Sequence, residues 1–192
     1  MVLVPLRYIP KSLTKTEREK QRRMIKQSRK AYVRNECKSK SNSNSNSKSN
    51  SKSKSNSKSK SRKCYITRKP LPSYKHKTSK HILKARKLYH LDKISPSAAL
   101  STATGCSIAT LQRIVSKGEG AYFSSGSRPN QTGPSWGLAR LASAVTGGKA
   151  AAVDFKLIEN GCRHTKTAYR LAKKAKTRYG HGTHRVPHVV LY

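Results

Sequence analysis

Acidic side chains are scarce in this sequence. Asp and Glu number 7 against 43 Lys and Arg in 192 residues, for a net charge of +36. Outside the N-terminal arm only Asp92, Glu119, Asp154 and Glu159 remain as acids. General-base and two-metal chemistry draw on converging carboxylates, so so few acids argue against both. Apolar residues are also short, at 34%, below the usual share of a globular chain, so the core is small or local. Cys37, Cys64, Cys106 and Cys162 form no C-x-x-C pair, which argues against a zinc ribbon or a thioredoxin-like site. Four cysteines allow two disulfides, but reduced thiols in an intracellular setting are the default expectation. No run approaches the length of about 18 apolar residues that a membrane span needs. The first ten residues carry no signal-peptide pattern. A G-x-S-x-G elbow is missing. Gly147-Gly148-Lys149 runs into Ala150 where a phosphate loop needs Ser or Thr, and Ser143 stands where its first glycine belongs. The expectation is a protein that is not an enzyme and uses no cofactor.

What is present is positive charge, unevenly spread. Residues 1–95 are net +25, residues 96–159 net +3 and residues 160–192 net +8. A charge of this size self-repels unless a polyanion neutralises it. Nucleic acid is the first candidate, an acidic protein surface the second and an anionic membrane the third. The nearly neutral central block holds most of the Ala, Gly and aliphatic periodicity and is the best candidate for a packed core.

The chain divides accordingly. Residues 1–37 read as an extended clip, MVLVPLRYIP, followed by a basic helix over Lys15–Arg34 whose apolar residues are sparse (Met24, Ile25, Ala31, Tyr32). Such a helix needs a partner surface to be stable. In 38–61 Ser alternates with Lys or Asn and no apolar residue occurs, so a disordered tether is expected, serving as a DNA-contacting arm, a phosphorylation target or a plain spacer. Residues 62–78 are basic, carry two prolines and read as extended. Residues 79–178 form a small, mainly α domain. Its first helix, Ser79–Leu91, stripes Ile82, Ala85, Leu88 and Tyr89 opposite Lys80, Lys84 and Lys87. Ser95-Pro96 opens the next helix, with Ser95 as cap, running to about Thr104. A short helix over Ser107–Lys117 follows. Then come a glycine-rich connector over 118–136, a helix over Ser135–Val145, a segment Lys149–Glu159 read as helix over strand, and a basic helix over Thr165–Arg178. Residues 179–192 are a tail whose VVLY end can dock as a strand.

Three constellations carry functional readings. Around Gly105, Leu100 precedes by five positions while Leu111 and Ile114 follow by six and nine. That spacing packs the two helices of a helix-turn-helix-like hairpin. The second helix would then present Thr110, Gln112, Arg113, Ser116 and Lys117; Gln and Arg read base edges, while Ser, Thr and Lys meet phosphates. A plain helical hairpin is the competing reading. The basic arms supply Arg18, Lys20, Arg22, Arg23, Lys26, Arg29 and Lys30 for polyanion binding by counterion release, with Tyr32, Tyr65 and Tyr74 interleaved for stacking. His164, His181, His184 and His188 near Cys162 suggest zinc weakly, since the spacing fits no familiar ligand pattern, and no metal is expected. In the connector, Tyr122, Phe123 and Trp136 are expected to close the core, and Arg128 and Asn130 to meet a partner.

The runs RYIPKSLT, QSRKAY, YITR, HKTSKH and KGEGAYFSSGSRPNQTGPSWGLARLASAVTGGKAAAVDFKLIENGC resemble an uncharacterised basic protein family of large DNA viruses of algae and amoebae, of the chlorella-virus type. The SSGSRPNQT…SWGLARLAS signature carries that resemblance. The Ser/Lys/Asn tract departs from it, as an insertion between AY and YITR. The family lends no catalytic residue. The resemblance implies a viral origin and a packaged role: a minor capsid or core component, in the virion and in the host cell during assembly. Its partners would be capsid proteins and/or double-stranded DNA.

Overall fold

The computed structural model describes residues 2–34, 65–75, 78–180 and 187–191. The 38–61 tract, Cys37, Cys64, His181 and His184 lie outside the described residues. Along the chain run β1 (Val2–Pro5), a short 3-10 turn (Leu6–Tyr8), α1 (Lys15–Arg34), α2 (Lys80–Tyr89), α3 (Ala98–Thr104), α4 (Ile108–Ser125), α5 (Gly133–Val145), α6 (Lys149–Val153), α7 (Phe155–Gly161), α8 (Thr167–Tyr179) and β2 (His188–Leu191). The fold is mainly helical, as the periodicity predicts.

The hairpin forms around Gly105, whose φ of 72° is left-handed and so favours glycine. Leu100, Leu111 and Ile114 are all fully buried. The cap of α3 is Ser97, not Ser95: its hydroxyl accepts from the Leu100 N–H at 3.3 Å. Ser107 caps α4 the same way, accepting from Thr110 N–H at 3.2 Å. Leu88, expected on the buried stripe of α2, is 37% exposed, while Ala85 and Tyr89 are buried.

The largest departure concerns the connector. Residues 118–125 are not loop: α4 continues through Gly118 and Gly120 to Ser125, and only about 126–132 links it to α5. Glycine inside a helix costs roughly 1 kcal/mol relative to Ala, which is why the sequence reads as a break. At Gly118 the cost is offset by packing. A Cβ built there would lie 2.6 Å from Gly137 Cα of α5, and one at Gly137 would lie 2.8 Å from Val115 O. The two helices therefore cross backbone against backbone. Around this crossing lie Leu111, Ile114, Leu141, Val145, Ile158 and Ala172, all fully buried.

Lys149–Glu159 is helical, but interrupted at Asp154, which ends α6 and begins α7. The thiols of Cys106 and Cys162 are not free: they form a disulfide across 56 residues, correcting the expectation of reduced cysteines. It ties the hairpin turn to the end of α7, beside Ser107 N–H···Gly161 O at 2.9 Å and Arg163 N–H···Gly105 O at 2.8 Å. Closing a loop of that length contributes about 2–4 kcal/mol through the unfolded chain.

The basic helix α1 finds its partner surface on α4. Gln21, Ile25 and Ser28 recur at helical spacing and are buried. Ile25 joins Val4, Tyr8, Ile9 and Leu191 in a second apolar cluster, against which Trp136 and Val189 pack. The termini close this cluster together, because β1 and β2 pair antiparallel from Val2↔Leu191 to Pro5↔His188.

The glycine crossing predicts opposite signs for two similar substitutions. Gly137→Ala should lose about 1–3 kcal/mol in urea unfolding, because its methyl has no space. Gly120→Ala, whose methyl would meet Tyr32 Oη at an ordinary 3.6 Å, should be neutral or gain up to about 1 kcal/mol. A stabilising Gly137→Ala would mean the helices are not in close contact.

Candidate nucleic-acid interface

With one side of α4 committed to α5 and the core, its other side defines what the molecule can offer a partner. Gln112, Arg113, Ser116 and Lys117 are exposed and line an open groove of about 700 Å³ together with Tyr32, Gly120, Ser124 and Arg140. The predicted residues Gln112, Arg113 and Lys117 are thus brought together. Thr110 is not among them. Expected to face outward, it is 6% exposed, because α7 passes so close that a Cβ on Gly161 would clash with the Thr110 side chain.

The groove wall contains a charge cluster that sequence reasoning missed. Arg140 grips Asp154 with two parallel bonds, Nε–Oδ2 at 2.7 Å and Nη2–Oδ1 at 2.8 Å. Lys117 Nζ reaches Asp154 Oδ1 at 2.8 Å. The carboxylate is fully buried while the Lys117 side chain is 48% exposed. This bidentate pair fixes α5 to the α6–α7 junction. The triad keeps a net positive charge facing the groove. The available signal was a lone acid inside an Ala-rich apolar run, but its partners on α4 and α5 are distant in sequence.

The C-terminal end of α4 is held by donors from outside the helix. Its last carbonyls lack intrahelical partners. Tyr122 O accepts from Arg68 Nη2 at 3.1 Å, Phe123 O from Ser28 Oγ at 3.2 Å and Ser125 O from Arg29 Nη1 at 3.4 Å. Two of those donors are guanidiniums, whose charge suits the negative end of a helix dipole. Arg68 is buried, stacks 3.7 Å above the Tyr122 ring centroid and donates to Ser127 Oγ at 2.8 Å. Burial pushes its pKa below the ordinary arginine value, with Tyr122 and then Tyr8 opposing. Arg29 therefore has an internal role beside any external one.

The remaining arm cations sort by face. Arg23, Lys26 and Lys30 are exposed in one stripe along α1, while Arg18, Arg22 and Arg29 are half-buried. Arg22 pairs with Glu19. Arg128 is exposed on the α4–α5 loop. Partial burial, then Lys84, then Arg128 hold His81 below the usual imidazole value, so Arg128 faces α2. Asn130, expected to meet a partner, is used internally. Its side chain bonds Leu71 N and O at 2.7 and 3.0 Å and Tyr74 O at 2.8 Å. The extended basic segment is thereby latched onto the loop, with Leu71 fully buried.

Among the tyrosines, Tyr32 and Tyr65 meet at 6.3 Å between centroids, and Tyr65 rests on Phe123 at 4.6 Å. Tyr74 stands apart from this row. The zinc reading near Cys162 fails because its sulfur is bonded to Cys106, and His164 instead stacks on Tyr169 at 3.9 Å. Among the described residues no three His, Cys, Asp or Glu side chains converge as a metal site, and no helix is long and apolar enough to cross a membrane.

One family model, described as a family of unknown function (DUF5824), matches residues 54–160. That span takes in the hairpin, the glycine crossing and the Arg140–Asp154 pair. No curated protein and no solved structure matches the chain.

The charge triad separates two substitutions. Arg140→Ala strands a buried carboxylate and should cost about 3–5 kcal/mol in chemical denaturation. Lys117→Ala removes a half-exposed partner and should cost less than about 1 kcal/mol.

Proposed function

For this chain, which belongs to the DUF5824 family of unknown function, we propose a non-enzymatic structural role. It acts as a minor capsid or core component of a large DNA virus, bridging acidic capsid surfaces and/or packaged double-stranded DNA. The observation that carries this reading is the fate of its charge. Of a net +36, ion pairs among the described residues engage Arg22, Lys117 and Arg140. Lys26, Lys30, Lys80, Lys87, Arg170, Lys173 and Lys174 stand exposed on α1, α2 and α8. A folded scaffold with these cations exposed on three helices is suited to a polyanion. The resemblance to the viral family supports the particle as the setting.

A second reading, a DNA-binding protein that reads sequence through its hairpin, has its own support. The turn is left-handed at Gly105, Leu100, Leu111 and Ile114 pack fully, and the following helix exposes Gln112 and Arg113.

Mass spectrometry of purified particles should find the protein in the virion; its absence would overturn the structural reading. Binding of the full chain to duplex DNA distinguishes the two modes. With arms and faces alone, Arg113→Ala changes little, and affinity falls steeply with salt for every sequence. With base readout, it relaxes a sequence preference worth about 1–3 kcal/mol.

A further inference from the structure

The groove along α4 ends on an aromatic surface that duplex binding does not need. Tyr32, at the end of α1, lines the groove, with its hydroxyl 3.6 Å from where a Cβ on Gly120 would stand. Tyr65 lies next to it and is 58% exposed although its ring leans on Phe123. Val33 and Ile66 beside them are 77% and 43% exposed. Apolar and aromatic surface is thus left in water at the mouth of a groove lined by Gln112, Arg113, Lys117 and Arg140. Arg113 lies about 10 Å along α4 from Gly120, at 1.5 Å per residue.

We infer that this groove binds single-stranded nucleic acid, with an unpaired base stacking on the exposed Tyr65 and the phosphate backbone meeting Arg113 and the Lys117–Arg140–Asp154 cluster. The inference rests on the polyanion reading and names the form of the polyanion this face takes. Two features separate single strands from duplex. The exposed Tyr65 ring can stack only on a base whose own face is open, and in a duplex those faces are covered by neighbours. Arg113 and Lys117 line the groove that Tyr65 adjoins, and a positively charged groove beside an aromatic face is the combination that binds single strands. An acidic polypeptide would find the same cations but would leave Tyr65 unused.

The test uses fluorescence anisotropy of the full chain with four probes about 16 nucleotides long: oligo-dT, oligo-rU, a duplex, and an abasic deoxyribose-phosphate strand. Oligo-dT and oligo-rU should bind more tightly than the abasic strand. Tyr65→Ala should weaken both by about 5- to 150-fold while leaving the abasic strand and the duplex unchanged. Tyr65→Leu keeps an apolar cap on Phe123, so the fold is retained while the stacking face is lost; it should behave as Tyr65→Ala. Tyr65→Trp should bind at least as tightly as the unsubstituted chain. Equal losses on the base-bearing and abasic strands, or no loss on either, would overturn the inference. If the duplex and abasic strand still bind with a steep salt slope, the polyanion reading survives that outcome. If none of the four probes binds, both fall.

Discussion

The backbone contact between Gly118 and Gly137 is the constraint on which the other elements depend. With no side chain at either position, α4 and α5 approach until a Cβ would collide with main chain. That closeness brings Leu111, Ile114, Leu141 and Val145 into one dry layer, in a chain with too few large apolar residues to fill a wider gap. It also sets Arg140 alongside α4, where its guanidinium and Lys117 can share the Asp154 carboxylate. A buried acid in so basic a protein is held by geometry that the crossing imposes.

Around this crossing the molecule is also tied by directional contacts. The disulfide fastens the hairpin turn to α7. Ser28, Arg29 and Arg68 occupy the carbonyls at the end of α4. Asn130 clips the extended segment through three bonds to its backbone. Strand pairing of the two termini closes the second cluster over Ile25. These ties supplement a small core, and the outer face of α4 stays in solvent.

What could be read from the sequence follows from the range of the interactions. Leu100, Leu111 and Ile114 lie in one hairpin, so their spacing around Gly105 was enough to place them, apolar spacing located α5, and charged, helix-forming composition located α1 and α8. Gln112, Arg113 and Lys117 followed as the opposite face of α4. Thr110 did not, because the surface that covers it comes from α7. Gly118 and Gly120 looked like a break because local propensity penalises glycine; the helix that makes Gly118 favourable lies beyond a turn. Pairing of Cys106 with Cys162, and of Asp154 with Arg140, depends on tertiary proximity that residue spacing does not encode. Asn130 shows the reverse error: an exposed-looking polar residue in a loop proved to be an internal fastener.

The account makes the surface charge the working part of the molecule and the helical body its mount. Lysine-acetylation footprinting of the full chain, with and without saturating duplex DNA at low salt, examines this most directly. The account predicts strong protection of Lys26, Lys30, Lys80, Lys87, Lys173 and Lys174, reversed by raising the salt. Unchanged reactivity of these lysines in the presence of the polyanion would contradict it.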